Sequence, residues 1–140
     1  KYLDKNTDPI ILKVNGRKVD ADIEHGYVAL DRTWKSGDVV DLTLPMQIRR
    51  VVCHPNAKAN NGLVAIERGP IVYCAEFKDN DGLDAKDLKI TDNMTFKATF
   101  EKDVYNGVVT LTGSNGVKLI PYYLYSNRGA GWMRVWMPRN

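Results

Sequence analysis

At 140 residues, with 44% hydrophobic and 26% charged positions, the chain has the composition of one globular domain or of two very small ones. That balance excludes a disordered, collagen-like or low-complexity chain, and no apolar run approaches the roughly 18 residues that a bilayer-crossing helix needs. The net charge of +3 comes from 20 basic and 17 acidic side chains interspersed along the sequence, which argues against a polyanionic partner such as nucleic acid.

Residues 1–9 read as a frayed leader. Lys1-Tyr2-Leu3-Asp4-Lys5 is polar and carries no secretory signal; because the chain opens on Lys rather than Met, this says nothing about where the parent works. Ile10 to Val14 is a short strand, and Asn15-Gly16 is a strong two-residue hairpin signal. Arg17 to Ile23 is the returning strand, with Val19, Ala21 and Ile23 on one face. After a turn at His25-Gly26, Tyr27 to Asp31 forms another strand. Trp34 sits in the polar turn 33–38 as a plug over the end of the core. Val39 to Leu44 alternates and stops at Pro45. Met46 to Cys53 follows, with Arg49 and Arg50 breaking the pattern in the manner of a bulge. His54 to Asn61 is a polar loop.

Residues 62–76 are the stretch around which the other strands are expected to pack. Leu63, Ala65 and Glu67 alternate with Val64, Ile66 and Arg68, and Gly69-Pro70 then breaks the run. Pro70 cannot donate to a ladder and Gly69 can re-aim the backbone, which suggests a sheet corner or a switch between two sheets. Ile71 to Glu76 is almost wholly apolar, as in a strand covered on both faces. The Asp-, Asn- and Gly-rich stretch 78–87 is loop-like and a candidate internal boundary. Met94 to Glu101 alternates, with Met94, Phe96, Ala98 and Phe100 on one face. Asn106-Gly107 turns into Val108 to Thr112, and Ser114-Asn115-Gly116 turns into a long strand, Val117 to Tyr125. Pro121 places an edge or bend in that strand. A loop at 127–131 leads to a closing strand, Trp132 to Met137. About ten short strands with frequent turn signals indicate an all-β fold, an antiparallel β-sandwich of jelly-roll-like or immunoglobulin-like character.

Little in these elements is chemically reactive. Cys53 and Cys74 lie in separate predicted strands, so they could pair across strands or remain two buried thiols. With His25 and His54 they exhaust the soft-ligand inventory, and no pair has zinc-finger spacing. Glu67, Glu76, Asp38 and Asp41 read as solvated strand-face or turn carboxylates rather than as an acid/base pair flanking a cleft. Neither Ser114 nor Ser126 sits in a nucleophile elbow. The rings of Tyr122, Tyr123, Tyr125, Trp132 and Trp136 cluster near the C-terminus, where packing and sugar stacking are both open readings. Arg49-Arg50 and Arg128 could bind an anion or pair with local acids.

Several motifs in order carry a resemblance. Trp34-Lys-Ser-Gly-Asp38, Leu42-Thr-Leu-Pro-Met46, Arg49-Arg50-Val51 with His54-Pro55-Asn56, Val64-Ala-Ile-Glu-Arg-Gly-Pro-Ile-Val-Tyr-Cys74, and Ile120-Pro-Tyr-Tyr123 with Asn127-Arg128-Gly129 together resemble the C-terminal region of glycoside hydrolase family 127, the β-L-arabinofuranosidases. The resemblance covers residues 10–78 and 117–138. It implies that chemistry resides in a preceding α/α barrel with a zinc-bound cysteine nucleophile and a glutamate acid/base, followed by two small sandwich domains of which this chain holds part of the first and the second. No segment here matches the nucleophile or the metal ligands, so the expectation is no catalytic residue, no metal and no cofactor in this chain, with zinc in the parent's barrel. Residues 1–140 then form a β-sandwich C-terminal accessory region whose partner is the parent's catalytic barrel, with a glycan as a further ligand and no nucleic-acid or membrane partner. A periplasmic or secreted context follows by resemblance only. In the loop 127–132, Ala130 and Trp132 depart from the family's usual proline and acidic residue. Trp132, Trp136, Tyr123, Tyr125 and Arg128 are therefore the candidate carbohydrate-contact or interdomain residues. An autonomous carbohydrate-binding module and a dimerisation domain using an exposed edge strand are the alternative roles.

Overall fold

The computed structural model describes residues 1–5, 7–20, 22–80, 83–84 and 87–140. The chain divides into two compact units, Thr7–Pro45 and a larger one made of Lys1–Asn6 with Met46–Asn140. Among the described residues every named strand pairing is antiparallel, and the only helical segments are three short 3₁₀ turns. The stretch 78–87, where the sequence suggests a boundary, lies partly outside the described residues.

In the smaller unit, β1 (Ile11–Val14) pairs with β2 (Arg17–Lys18) and with β5 (Val40–Thr43). Asn15 and Gly16 both take positive φ, 51° and 77°, as a type I′ hairpin requires. The strand expected over 17–23 is shorter than its alternation suggested, and Ala21 lies outside the described residues. The second hairpin, β3 (Ile23–Glu24) and β4 (Tyr27–Val28), turns at His25-Gly26. Asp38 organises the turn before β5. It accepts from Lys35 N at 2.9 Å and from Asn15 Nδ2 at 2.8 Å, while Asn15 Oδ1 accepts from Val39 N at 2.8 Å. The Asn15 amide, the Lys35 N–H and the nearby Arg32 hold the Asp38 carboxyl below its ordinary pKa. Trp34 is not the expected plug: it is 46% exposed and its ring lies 4.8 Å from the Arg32 guanidinium. Val14 is buried, whereas Ile23, Tyr27, Val39, Val40, Leu42 and Leu44 are exposed.

The larger unit is built on β6 (Ile48–Val51), β7 (Leu63–Arg68), β8 (Ile71–Glu76), β9 (Phe96–Glu101), β10 (Val108–Gly113) and β11 (Lys118–Pro121), with the two-residue strands β12 (Met133–Arg134) and β13 (Met137–Pro138). Gly69-Pro70 is a tight hairpin rather than a corner, because Arg68 pairs directly with Ile71. Gly69 has φ +56°, the angle that the first central residue of a type II′ turn needs, and proline's fixed negative φ suits the second. The two arms stay paired only from Ile66↔Tyr73 to Arg68↔Ile71. Beyond that they part, and the C-terminal segment fills the gap: Met137 faces Val64, Arg139 N donates to Gly62 O at 2.9 Å, Met133 faces Glu76, and Phe77 N donates to Trp132 O at 3.0 Å. This wedge explains why Trp132 to Met137 is not one strand. Its two ends serve different partners. The expected long strand 117–125 also ends early, at Pro121, where the chain enters a 3₁₀ turn.

Two further expectations change. Arg49 and Arg50 make no bulge, since Ile48 to Val51 run in unbroken register with Arg68 to Ala65. Residues 1–4 are not frayed but lie along β6, with Tyr2 opposite Val51. Val64, Ile66, Tyr73, Ala75, Leu88, Ile90, Met94, Leu111, Val117, Leu119 and Met137 form one buried cluster. Cys74, Ala65 and Ile120 are buried as well, so β7 and β8 are covered on both faces, as their apolar runs imply. Phe100, expected inside, is 66% exposed and lies over Gly107 in the adjoining loop. Replacing Ile66 by Ala is expected to cost about 2–5 kcal/mol in urea unfolding, whereas Phe100→Ala on the outer strand should cost well under half of that.

A tyrosine platform held by an arginine-centred network

Four of the five candidate residues fall in the segment 121–132, and Trp136 follows it. Pro121 ends β11 and Tyr122–Leu124 form a 3₁₀ turn, closed by Tyr125 N donating to Tyr122 O at 3.1 Å. Side chains three apart eclipse in that geometry. The rings of Tyr122 and Tyr125 accordingly stack, with centroids 5.2 Å apart and planes 5° from parallel. Tyr123 is 66% exposed and Tyr125 44%. Ser126 takes φ +65°, and its N–H donates to Glu76 Oε1 at 2.5 Å. Asn127 Nδ2 donates to Leu124 O at 3.1 Å. The loop is therefore fixed at its start by backbone and side-chain bonds.

Arg128 fixes its middle. Its guanidinium donates to Asp79 Oδ1 at 2.8 Å, to Asp79 Oδ2, and to Glu76 Oε2 at 2.7 Å. The Glu76 and Asp79 side chains are almost wholly buried, so they would be costly charges without this partner. The fork of Arg128 on Asp79, with Glu76 added, raises the arginine's pKa further above its ordinary value. The network extends to Lys118, which lies 4.0 Å from Asp79 and 3.0 Å from Glu101 Oε1. Thr110 Oγ1 donates to Glu101 Oε1 at 2.5 Å. Asn80 ties the same strands together, donating to the carbonyls of Glu76 and Lys118 at 2.8 and 2.9 Å and accepting from Lys118 N at 2.9 Å. Burial first, then the Glu76 and Asp79 carboxylates, push the Cys74 thiol up to about 12, so it stays protonated and unreactive.

The sequence-named residues thus fall into three roles. Tyr123 and Tyr125 are exposed, with Tyr122 beside them. Arg128 is engaged within the chain by two acids. Trp132 is half-buried, packed against the core and edge-on to Phe77, with ring centroids 6.2 Å apart at 75°. Trp136 is also half-buried. Phe77 and Asp79 join the picture from the structure, and Glu76, read from the sequence as a solvated strand-face carboxylate, is buried instead. A small cavity of about 60 Å³ is lined by Glu76, Phe77, Tyr125, Ser126, Gly131 and Trp132. The signal for the network was a carboxylate closing an apolar strand at Glu76, which calls for a buried partner. Of the other carboxylates, Glu67 accepts from the Tyr2 hydroxyl at 3.1 Å and Asp38 is held in its turn. Cys53 and Cys74 are both free thiols; Cys53 is only half-buried. Among the described residues no group of three or more His, Cys, Asp or Glu side chains could hold a metal ion, so the residues present do not fit the zinc that the resemblance implies for the parent.

Comparison with known proteins relates both units of the chain to one family. The glycoside hydrolase family 127 C-terminal domain matches residues 48–138, and the β-L-arabinofuranosidase middle domain of the same family matches residues 6–46. The chain belongs to glycoside hydrolase family 127. The first match falls within the larger unit, whose residues 1–5 lie outside both matches, and the second spans the smaller unit. A non-reducing end β-L-arabinofuranosidase of Bifidobacterium longum subsp. longum is 30% identical over 158 residues, covering 91% of this chain and 24% of that protein. A solved family 127 β-arabinofuranosidase superposes with a TM-score of 0.89 at 34% identity, over 99% of this chain and 24% of the other. A β-L-arabinofuranosidase of the family from Geobacillus stearothermophilus T6 gives 0.85 at 35% identity, over 95% and 25%. The chain thus spans about a quarter of the length of these relatives.

Folding lowers the Glu101 pKa below its ordinary 4.5, chiefly through the Thr110 hydroxyl and then Lys118. Its contribution to stability is therefore complete above the unfolded-state value and is lost as the pH falls through the folded one. Glu101→Gln should remove that acid-side loss, so the variant and the parent chain converge in stability at low pH and differ most at neutral pH. Urea unfolding at several pH values between 2 and 7 measures this.

Proposed function

We propose that this chain is the non-catalytic C-terminal β-portion of a larger glycoside hydrolase acting on β-L-arabinofuranosides, and that it supports the catalytic α/α barrel of its parent. The observation that carries the reading is the ordered match of both units to the middle and C-terminal domains of one family, over about a quarter of the relatives' length. Two features of the chain support it. Its carboxylates with assigned partners serve the fold: Glu76 and Asp79 hold Arg128, Glu67 holds Tyr2 and Asp38 holds a turn. The smaller unit leaves Ile23, Tyr27, Val40 and Leu42 exposed, apolar surface that calls for a cover from the rest of the parent. In the parent, zinc would supply thiolate activation at the barrel's nucleophile, and its ligands would lie outside this chain. The residues described here would hold strands in place and move no proton.

One observation favours a second reading, a carbohydrate-contact role. Tyr122, Tyr123 and Tyr125 are exposed, and a flat ring held in a fixed loop is a surface on which a sugar can stack. Trp132 is a poorer candidate, because it packs against the core.

The purified chain is expected to show no turnover of aryl β-L-arabinofuranosides. Turnover that disappears in Glu67→Gln or Glu76→Gln would overturn the supporting role. Glycan-array binding lost in Tyr123→Ala or Tyr125→Ala, with circular dichroism unchanged, would replace it with the second reading.

A further inference from the structure

The Arg49-Arg50 pair has no part in the function above, yet it is one of the motifs that marks the family resemblance, and Arg50 is well buried. Both arginines face residues 1–4. Val52 N donates to Lys1 O at 2.9 Å, Lys1 N to Val52 O at 2.7 Å, and Leu3 N to Arg50 O at 2.9 Å, so the segment runs antiparallel along the free edge of β6, bridged at Tyr2. The side chains then set which segment fits. Asp4 accepts from the Arg50 backbone N–H at 2.6 Å and from Arg50 Nη1 at 3.0 Å. The other end of the Arg50 fork donates to the Met94 carbonyl, linking the segment to the turn before β9. The Arg49 guanidinium stands 3.8 Å from the centre of the Tyr2 ring, and the Tyr2 hydroxyl donates to Glu67 Oε2 at 3.1 Å. A slip of one residue would take Tyr2 off Arg49 and Asp4 off Arg50 together, so this register is strongly specified.

The family's C-terminal match begins only at residue 48. We infer that Arg49 and Arg50 select the segment that lies on this edge: they form a receptor for an extended stretch carrying an aromatic residue two positions before an acid, and so tie residues 1–4 to the C-terminal unit across the smaller unit that separates them in sequence. The partner recognised is the chain's own Tyr2-Leu3-Asp4. The test of this receptor uses no catalytic readout.

The experiment combines amide hydrogen exchange with thermal unfolding of the 140-residue chain. The Leu3 and Val52 amides should be protected in the unsubstituted chain. In Asp4→Ala they should exchange at least tenfold faster, while Leu12 and Leu42 in the smaller unit are unchanged. The melting temperature of the larger unit should fall by about 4–8 °C, and Asp4→Ala should add almost nothing on top of Arg50→Met. Should Arg50→Met fail to fold through loss of its Met94 bond, Tyr2→Ala combined with Arg49→Gln provides the same cycle at the neighbouring contact. Unprotected Leu3 and Val52 amides, an unchanged melting temperature in Asp4→Ala, or strictly additive effects in both cycles would overturn the inference.

Discussion

The pairing of Leu63–Arg68 with Ile71–Glu76 stops after three residue pairs, and the architecture of the larger unit depends on that parting. A tight Gly69-Pro70 turn starts the two arms together, and the sheet then needs another piece of backbone to satisfy the edges that open between them. Residues 132–139 supply it, bonding to Val64 and Gly62 on one arm and to Glu76 and Phe77 on the other. The C-terminal segment is thus the piece that lets one hairpin reach two groups of strands. Buried side chains on both faces of the arms make the arrangement stable, and Ile66 and Tyr73, which face one another, lie at its centre.

The same parting has an electrostatic consequence. Glu76 ends an arm whose preceding residues are apolar, and its carboxylate is pulled inside with that strand. Arg128 neutralises it together with Asp79, and in doing so clamps the loop that carries Tyr125 and leads into Trp132. Fold and display are therefore one mechanism: the arginine that relieves the buried acids also holds the segment bearing the exposed rings. This accounts for an Arg128 committed within the chain beside tyrosines that face outward. It also separates the aromatic residues into those available to a ligand or a neighbouring domain and those, such as Trp132, already used in packing.

What the sequence reveals follows from the range of each interaction. The hairpin at Asn15-Gly16 is legible because its cause is local: two residues that accept positive φ. The near-continuous apolar run of Ile71 to Glu76 announces a strand covered on both faces, and the structure covers it. Gly69-Pro70 is ambiguous by eye, since a proline that cannot donate suits both a corner and the second position of a type II′ turn. The frayed reading fails at residues 1–4 and the bulge at Arg49-Arg50 fails too, both for non-local reasons: residues 1–4 lie along β6, more than 40 positions away, and β6 keeps its register against β7. In the smaller unit, alternation locates Val40 and Leu42 correctly in a strand but implies an inside that the unit does not itself provide. The tyrosines were visible as a cluster. Which of them are exposed was not, because that depends on a 3₁₀ turn and on Arg128's distant acids.

The most direct test of this account is residue-resolved hydrogen exchange along the closing segment. If residues 132–139 are the wedge that the parted hairpin requires, the amides of Phe77 and Arg139, which bond across the two gaps, should open only with the core amide of Ile66, with the same free energy and the same dependence on denaturant. Exchange at Phe77 and Arg139 through a low-energy local opening, while Ile66 remains protected, would show that the hairpin holds its shape without the closing segment and would contradict the central claim.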